Sequence, residues 1–284
     1  MKIGEIISSL IAWHQPYENP RTRDTVKCGD VEQECTGIAI TCYATPSVIR
    51  KAVEKHCNLL IVHESLFYGD SYDTKAFWDL PAYQKKTDLL KNSQMVVFRD
   101  HDHMHGKGKP WVPERIRKDY LYYGFMKEMG WENYVIGDQL KPLWYRIPEI
   151  SLKELADFLM DKLNLNGIRI VGEQDMTVST VFMAEHCSGE KGDDAIIREA
   201  AEADVIIPLE ICDWTVSAYV RDAVESGEKK AILEMGHFNV EEPGMKYMAQ
   251  WLPEAIGTDS IPIHFIQSGD GFQYRLRERR LDLQ

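Results

Sequence analysis

Short, wholly apolar runs recur along this chain, and each stands between a helix-like segment and a pair or cluster of histidines and acids. The clearest are Leu59-Leu60-Ile61-Val62, Met95-Val96-Val97-Phe98 and Ala231-Ile232-Leu233. A strand buried on both faces has no use for polar alternation, so such runs mark the parallel strands of a helix-covered sheet. The helical partners precede them. Thr45 can cap a helix with Pro46 in its first turn, where a missing N–H costs nothing. Ile49, Ala52 and Val53 supply its apolar stripe, and LPAYQKKTDLLKNS plays the same part before the second run. This pattern predicts an α/β fold made of helix-then-strand units.

Other segments extend it. MKIGEIISSLIAW reads as an amphipathic helix with Ile3, Ile6, Ile7, Leu10 and Ile11 on one stripe. SLKELADFLMDKLNL is a second, with Ser151 as N-cap and Leu155, Phe158 and Leu159 inside. Near the C-terminus Gly236 permits a tight turn, and Glu242-Pro243-Gly244 leads into a helix presenting Met245, Met248, Ala249 and Leu252. Residues 48–54 (VIRKAVE) can be laid over 196–202 (IIREAAE), and each then runs into an apolar strand, LLIV or VII. The match is short, but it suits two related lobes, about 1–130 and 131–284, joined between Gly124 and Pro148.

Charge narrows the function. The formal net charge is −12, which argues against nucleic-acid binding because neutralising phosphates takes a basic face. No apolar run approaches the length of a membrane span. Glu5 interrupts the first apolar stretch, so no signal peptide is expected. The six cysteines include no C-x-x-C pair; free thiols in a reducing cytoplasm are the expectation.

Three of the nine histidines fall in Asp100-His101-Asp102-His103-Met104-His105. Imidazole and carboxylate are ligands for borderline divalent metals, so the stretch reads as a metal site. If extended, it puts all three rings on one face; if a loop, fewer converge. His63-Glu64 and the pair His237 and Glu241, four apart, also come after apolar strands. Each pair alone fits a satisfied core histidine beside a capping acid. Together they occupy the position where open α/β sheets bind ligands, outside the carboxyl ends of strands. The turn Glu185-His186-Cys187-Ser188-Gly189, before a helix starting near Asp193, is a weaker candidate for an anion. Glu210 and Asp213 are pocket-lining candidates, and His14, His56 and His264 are given structural roles.

These residues carry a resemblance to the Nif-three-like family, dinuclear-metal proteins whose bacterial members are often labelled GTP cyclohydrolase I type 2. The segments are Thr45-Pro46 through LLIVHESLF, VVFRDH with His105 four residues on, ISLKELADFL, and Gly236-His237-Phe238-Asn239-Val240-Glu241-Glu242-Pro243-Gly244. Members usually show His-His after the first strand, His-x-x-x-Asp after the second and Gly-His-x-x-x-Glu after the last. Carried over, the metal ligands are His63, Glu64, His105, His237 and Glu241, with His101 the neighbouring histidine. Glu64 stands where a second histidine is usual and His105 where a bridging aspartate is usual, so the donor set is exchanged rather than lost. The usual Asp-Asn-Val-Gly-Leu segment is replaced by Asp24-Thr25-Val26-Lys27-Cys28-Gly29.

The resemblance implies two similar α/β lobes with a metal site in the cleft between them, and a ring-shaped homo-oligomer, commonly a hexamer. It implies two divalent ions (zinc, iron, manganese or nickel), about 3.5–4 Å apart, that assist hydrolysis of a small molecule. The family label points to a nucleotide substrate. His101, if uncoordinated, is the candidate proton shuttle. The rival expectation is a metal- or partner-binding scaffold without catalysis, its ions structural, regulatory or partly lost.

Overall fold

The computed structural model describes residues 1–15, 19, 21–69, 74–106, 111–189 and 191–276. They form two compact units: residues 1–147 with 240–268, and residues 148–239 with the segment from Gly269.

In the first unit the elements run α1 (Ile3–Trp13), β1 (Val26–Cys28), β2 (Ile38–Thr41), α2 (Pro46–Glu54), β3 (Leu59–Val62), α3 (Pro81–Asn92) and β4 (Val96–Arg99). Next come α4 (Glu114–Arg117), α5 (Tyr120–Met129), β5 (Val135–Ile136) and β6 (Trp144–Ser151), whose first half pairs with β5 and whose second half, from Pro148, belongs to the second unit. The sheet order is β1-β4-β3-β2-β11, the last being the later strand Ile263–Phe265. β4, β3, β2 and β11 are parallel, and β1 is an antiparallel edge.

Period-2 alternation divides the core. Ile38, Ile40, Leu59, Ile61, Val96 and Phe98 face α1, α5 and the returning helix α9 (His237–Ile256), packing on Ile3, Ile6, Leu10, Met245, Met248 and Leu252. Ala39, Leu60, Val62 and Val97 face α2 and α3 through Val48, Ile49, Ala52 and Leu90. Thr45 caps α2 as expected, accepting from the Val48 N–H at 3.2 Å.

The second unit contains α6 (Leu152–Leu163), β7 (Arg169–Val171), β8 (Thr177–Met183), α7 (Asp193–Glu199), β9 (Val205–Ile207), α8 (Val216–Glu225) and β10 (Ala231–Glu234). The chain then enters α9 (His237–Ile256), which continues into the first unit and leads to β11 (Ile263–Phe265). Here β8, β9 and β10 are parallel and β7 is an antiparallel edge on β10. The faint repeat is therefore topological: β2-α2-β3-α3-β4 with edge β1 matches β8-α7-β9-α8-β10 with edge β7. The 48–54 and 196–202 segments are α2 and α7 with its short continuation.

Some details differ from expectation. Val53 is exposed and Val48 takes its place in the α2 stripe, while Ile11 and Phe158 are only half-buried. The last long helix begins at His237, not after Glu242-Pro243-Gly244, and holds Pro243 inside it. Burial outweighs the local breaker signal, because Val240, Met245 and Met248 are core residues. Gly244 also lies against α5 closely enough that a Cβ there would meet the Leu121 Cα at 2.4 Å. All six cysteines are unpaired thiols. No helix among the described residues is long and apolar enough to cross a membrane.

Candidate metal centre

β3 and β4 are parallel neighbours in register, Val62 opposite Arg99, so the residues that leave the end of β3 lie beside those that leave the end of β4. His63 and Glu64 leave β3 with both backbone N–H groups donating to the Cys42 carbonyl, at 3.1 and 2.9 Å. Residues 100–105 leave β4 as a turn rather than an extended strand. The three clustered histidines therefore do not share a face. His101 and His105 converge with His63, and His103 turns to Asp24.

Each converging imidazole has its Nδ1 beside an oxygen. That of His63 lies 3.2 Å from the Asp100 carbonyl, that of His101 is 3.1 Å from Asp102 Oδ1, and that of His105 is 3.6 Å from Asp119 Oδ2. An oxygen beside Nδ1 favours the tautomer that leaves the Nε2 lone pair free, the arrangement that carbonyl and carboxylate neighbours give to metal-bound histidines. The rings pack together: His63 and His101 are parallel, 4.5 Å between centroids and 13° between planes. His105 stands edge-on to both, at 5.1 and 4.9 Å.

Glu241, in the first turns of α9, supplies the carboxylate. Its Oε2 lies 3.4 Å from His63 Nε2 and its Oε1 3.9 Å from His105 Nε2. His63, Glu64 and Glu241 form one candidate group, and His63, His101 and His105 another, with donor atoms within 4.8 Å of one another in each. Arg99 braces the strand ends, donating from Nε to the His63 carbonyl at 2.8 Å and from Nη1 to Ser65 Oγ at 3.0 Å. Its Nη2 is 3.4 Å from Glu64 Oε2.

Electrostatics favours neutral, lone-pair-bearing rings at two positions. Burial pushes His63 well below the ordinary imidazole pKa, assisted by His101 and His105. Burial, with His105 and Arg99 nearby, lowers His101 to about 4. For His105 burial acts the same way, but the Asp119 carboxylate outweighs it and raises the pKa.

The 3.4 Å between His63 Nε2 and Glu241 Oε2 tests whether a cation fits. The ring atom is fully buried and makes no hydrogen bond. A hydrogen bond closes to about 2.9 Å. A tetrahedral ion with bonds of about 2.0–2.2 Å keeps its ligands about 3.3–3.6 Å apart. The donors present fit a divalent ion.

Asp24 shapes the turn that presents these rings. Its buried carboxylate accepts from the backbone N–H groups of His101 (2.7 Å), Asp102 (2.8 Å) and His103 (2.9 Å), and from His103 Nδ1. Those donors lower its pKa although burial acts to raise it. In the sequence Asp24 appears only as the first residue of the segment that replaces the usual Asp-Asn-Val-Gly-Leu, and its role is hidden there, since its partners lie 77 to 79 residues away. Asp119 does carry a local signal, its place just before YLYYGFMKEM. It caps α5 by accepting from the Leu121 and Tyr122 N–H groups.

His237 lies with the second unit's donors. Its Nδ1 is 2.7 Å from Glu210 Oε2, and His186 Nδ1 is 2.6 Å from Glu210 Oε1. Burial would raise the Glu210 pKa, but the two imidazoles hold it down at about 2. Glu210 and His237 border a cavity of about 620 Å³ that Phe238, Phe272 and Tyr274 also line. In the Glu185–Gly189 turn the Gly189 N–H is taken by the Asp193 carboxylate at 3.1 Å; Glu190 lies outside the described residues.

The chain is similar over 237 residues to a Clostridium acetobutylicum protein named GTP cyclohydrolase 1 type 2 homolog, at 23% identity and 80% coverage of each chain. The crystal structure of a Staphylococcus aureus hypothetical protein matches with TM-score 0.68 and 18% identity, covering 97% of this chain and 99% of that one. That of a Bacillus cereus protein related to NIF3 matches with TM-score 0.67 and 14% identity, over the same shares. These likenesses establish the two-unit α/β fold. The sequence profile of Duf34/NIF3 (NGG1p interacting factor 3) matches residues 1–270, and with agreement over nearly its whole length the chain belongs to that family.

Proposed function

We propose that His63, His101, His105, Glu64 and Glu241 hold a divalent-metal centre, and that the protein is a metal-dependent hydrolase of a small molecule of nucleotide class. One observation carries the metal reading: buried His63 Nε2 faces Glu241 Oε2 at 3.4 Å while His63 Nδ1 faces a carbonyl. A lone pair then points at a carboxylate, and only a positive charge between them makes the contact favourable. A proton is the poorer candidate, because burial holds His63 neutral.

Three nitrogens and two carboxylates suit zinc, iron, manganese or nickel. The parallel, stacked His63 and His101 rings support two ions rather than one, since lone pairs lying in separate, nearly parallel planes do not meet readily at a point. When bound, such ions polarise a substrate oxygen and bring the pKa of a water toward about 7. The chain's own groups do the rest. Asp102 and Asp119 fix ring orientation, and Arg99 braces the ends of β3 and β4. His101, a proton-shuttle candidate from sequence, serves here as a ligand, because its ring is neutral near pH 7.

The centre is not sealed. The His101 and His105 side chains are 19% and 26% exposed, which favours catalysis over a closed structural site. The nucleotide class rests on the name of the Clostridium relative. A homo-oligomer belongs to the proposal, and light scattering on the purified protein checks it.

The test begins with metal counting on tag-free protein. His63→Ala and Glu241→Gln should each lose metal, and full occupancy in both would remove the centre. Protein loaded with zinc, iron(II), manganese or nickel is then assayed for hydrolysis of GTP and other nucleotides. Loaded protein inert toward all of them points to the scaffold reading.

A further inference from the structure

We propose that Asp100 and His14, beside the hydrogen-bonded Asp24–His103 pair, hold a separate divalent cation behind the first centre, of the borderline class that binds mixed imidazole and carboxylate donors. The Asp100 side chain is 1% exposed, and neither carboxylate oxygen accepts a hydrogen bond. His14 is 2% exposed, and its Nε2 also makes no hydrogen bond. These two unsatisfied groups face each other, with His14 Nε2 3.5 Å from Asp100 Oδ2.

A buried carboxylate with no donor is among the least tolerable groups in a protein interior. An ion pair with protonated His14 would close to about 2.7–2.9 Å. The observed separation instead fits the ligand spacing of about 3.3–3.6 Å around a tetrahedral ion. Asp24, Asp100 and His103 each offer a donor atom within 4.8 Å of the other two, and all three are buried. The His103 ring stacks on His14 at 5.0 Å, while Tyr120 and Trp251 close over His14 edge-on at 5.9 and 5.8 Å. Apolar rings on that side strengthen any charge interaction within.

The turn after β4 explains why there are two sites. His101 and His105 go to the first centre, and Asp100 and His103 to the other side, where α1 ends in His14. Asp100 belongs to both by different atoms, its backbone carbonyl lying 3.2 Å from His63 Nδ1. A cation here clamps the turn from behind, and its burial marks it as structural.

The experiment uses tag-free full-length protein, stripped with chelator and reloaded with zinc alone. Anomalous diffraction at the zinc edge should show a peak within about 2.3 Å of Asp100 Oδ2 and His14 Nε2. His14→Gln and Asp100→Asn should each bind one zinc fewer per chain and keep the ions at His63 and Glu241. His63→Ala should do the reverse. A peak beside Asp100 alone supports this site and counts against the first centre. Density at the first centre with none beside Asp100 overturns it, as does a wild-type zinc count in His14→Gln. If Asp100→Asn does not fold, the wild-type map still decides.

Discussion

Replacing Asp24 by asparagine tests whether one buried carboxylate holds the ligand-bearing turn in place. The wild-type side chain accepts three backbone N–H groups and the His103 ring. Asparagine keeps one oxygen, so it can retain the His101 and Asp102 donors. Its amide nitrogen then faces the two donors of His103, which are left buried without an acceptor. At about 1–3 kcal/mol for each unsatisfied buried donor, the loss is about 2–6 kcal/mol. The low end applies if the His103 ring switches tautomer and accepts from the new amide. Asp24→Ala forfeits all four contacts and should lose more.

The assay is urea unfolding of chelator-treated protein, monitored by tryptophan fluorescence. Every tryptophan except Trp214 lies in the first unit, so the signal reports the unit that contains Asp24. The midpoint should fall with little change in slope. The pH dependence has a definite sign. The folded-state pKa of Asp24 lies below its ordinary value, so its contribution is present above an unfolded pKa near 4 and is lost as pH falls through the lower folded value. Wild type and variant should therefore converge in acid. A difference below about 0.5 kcal/mol at neutral pH would refute the view that Asp24 organises the turn.

Lys86 is buried, donates to the Leu66 carbonyl, sits 4.7 Å from the Tyr43 ring centroid, and is lowered by burial to about 8. The unfolded chain binds the extra proton between pH 8 and 10.5, so stability should rise by about 3 kcal/mol across that window and stay flatter in Lys86→Met, as urea melts at several pH values would show. Gly124→Ala puts a Cβ 2.4 Å from the Gly244 Cα; pushing α5 from α9 should cost about 1–3 kcal/mol, lower the melting temperature by several degrees and reduce bound metal through Glu241. Chelation should abolish the nucleotide hydrolysis proposed for the metal-loaded protein and leave the far-UV circular dichroism intact, because the apolar core on both faces of the first sheet needs no ion; unfolding on chelation contradicts this.

Whatever depends on near neighbours is legible in the sequence. The run Leu59–Val62 announces a strand buried on both sides because every one of its residues is apolar, and all four are buried. His63 is legible because it ends that run. Orientation is not legible. Nothing near His103 says that it turns to Asp24 while His101 and His105 turn to His63. That choice is made by a carboxylate almost eighty residues away. The start of α9 is hidden for a related reason. Pro243 and Gly244 are local breakers, but the close approach of α5 and the burial of Val240 and Met245 override them.

The repeat in topology shows what burial adds to a shared blueprint. In both units the donors come after the parallel strands. His63 stands at the end of β3 and the histidine turn at the end of β4, while Glu210 comes after β9 and His237 after β10. The chemistry then diverges. In the first unit three imidazoles each face their own oxygen, and two of them, His63 and His105, share the almost wholly buried Glu241 carboxylate. In the second, both imidazoles turn Nδ1 to the two oxygens of Glu210, which is 40% exposed. That carboxylate already has a partner on each oxygen, and water competes for the rest. A cation therefore displaces less and gains more in the first unit, where low dielectric strengthens its attraction and no solvent satisfies His63 Nε2 in its place. If zinc titration of tag-free protein fills the His186, Glu210 and His237 group before the His63 group, burial does not govern where this chain binds metal.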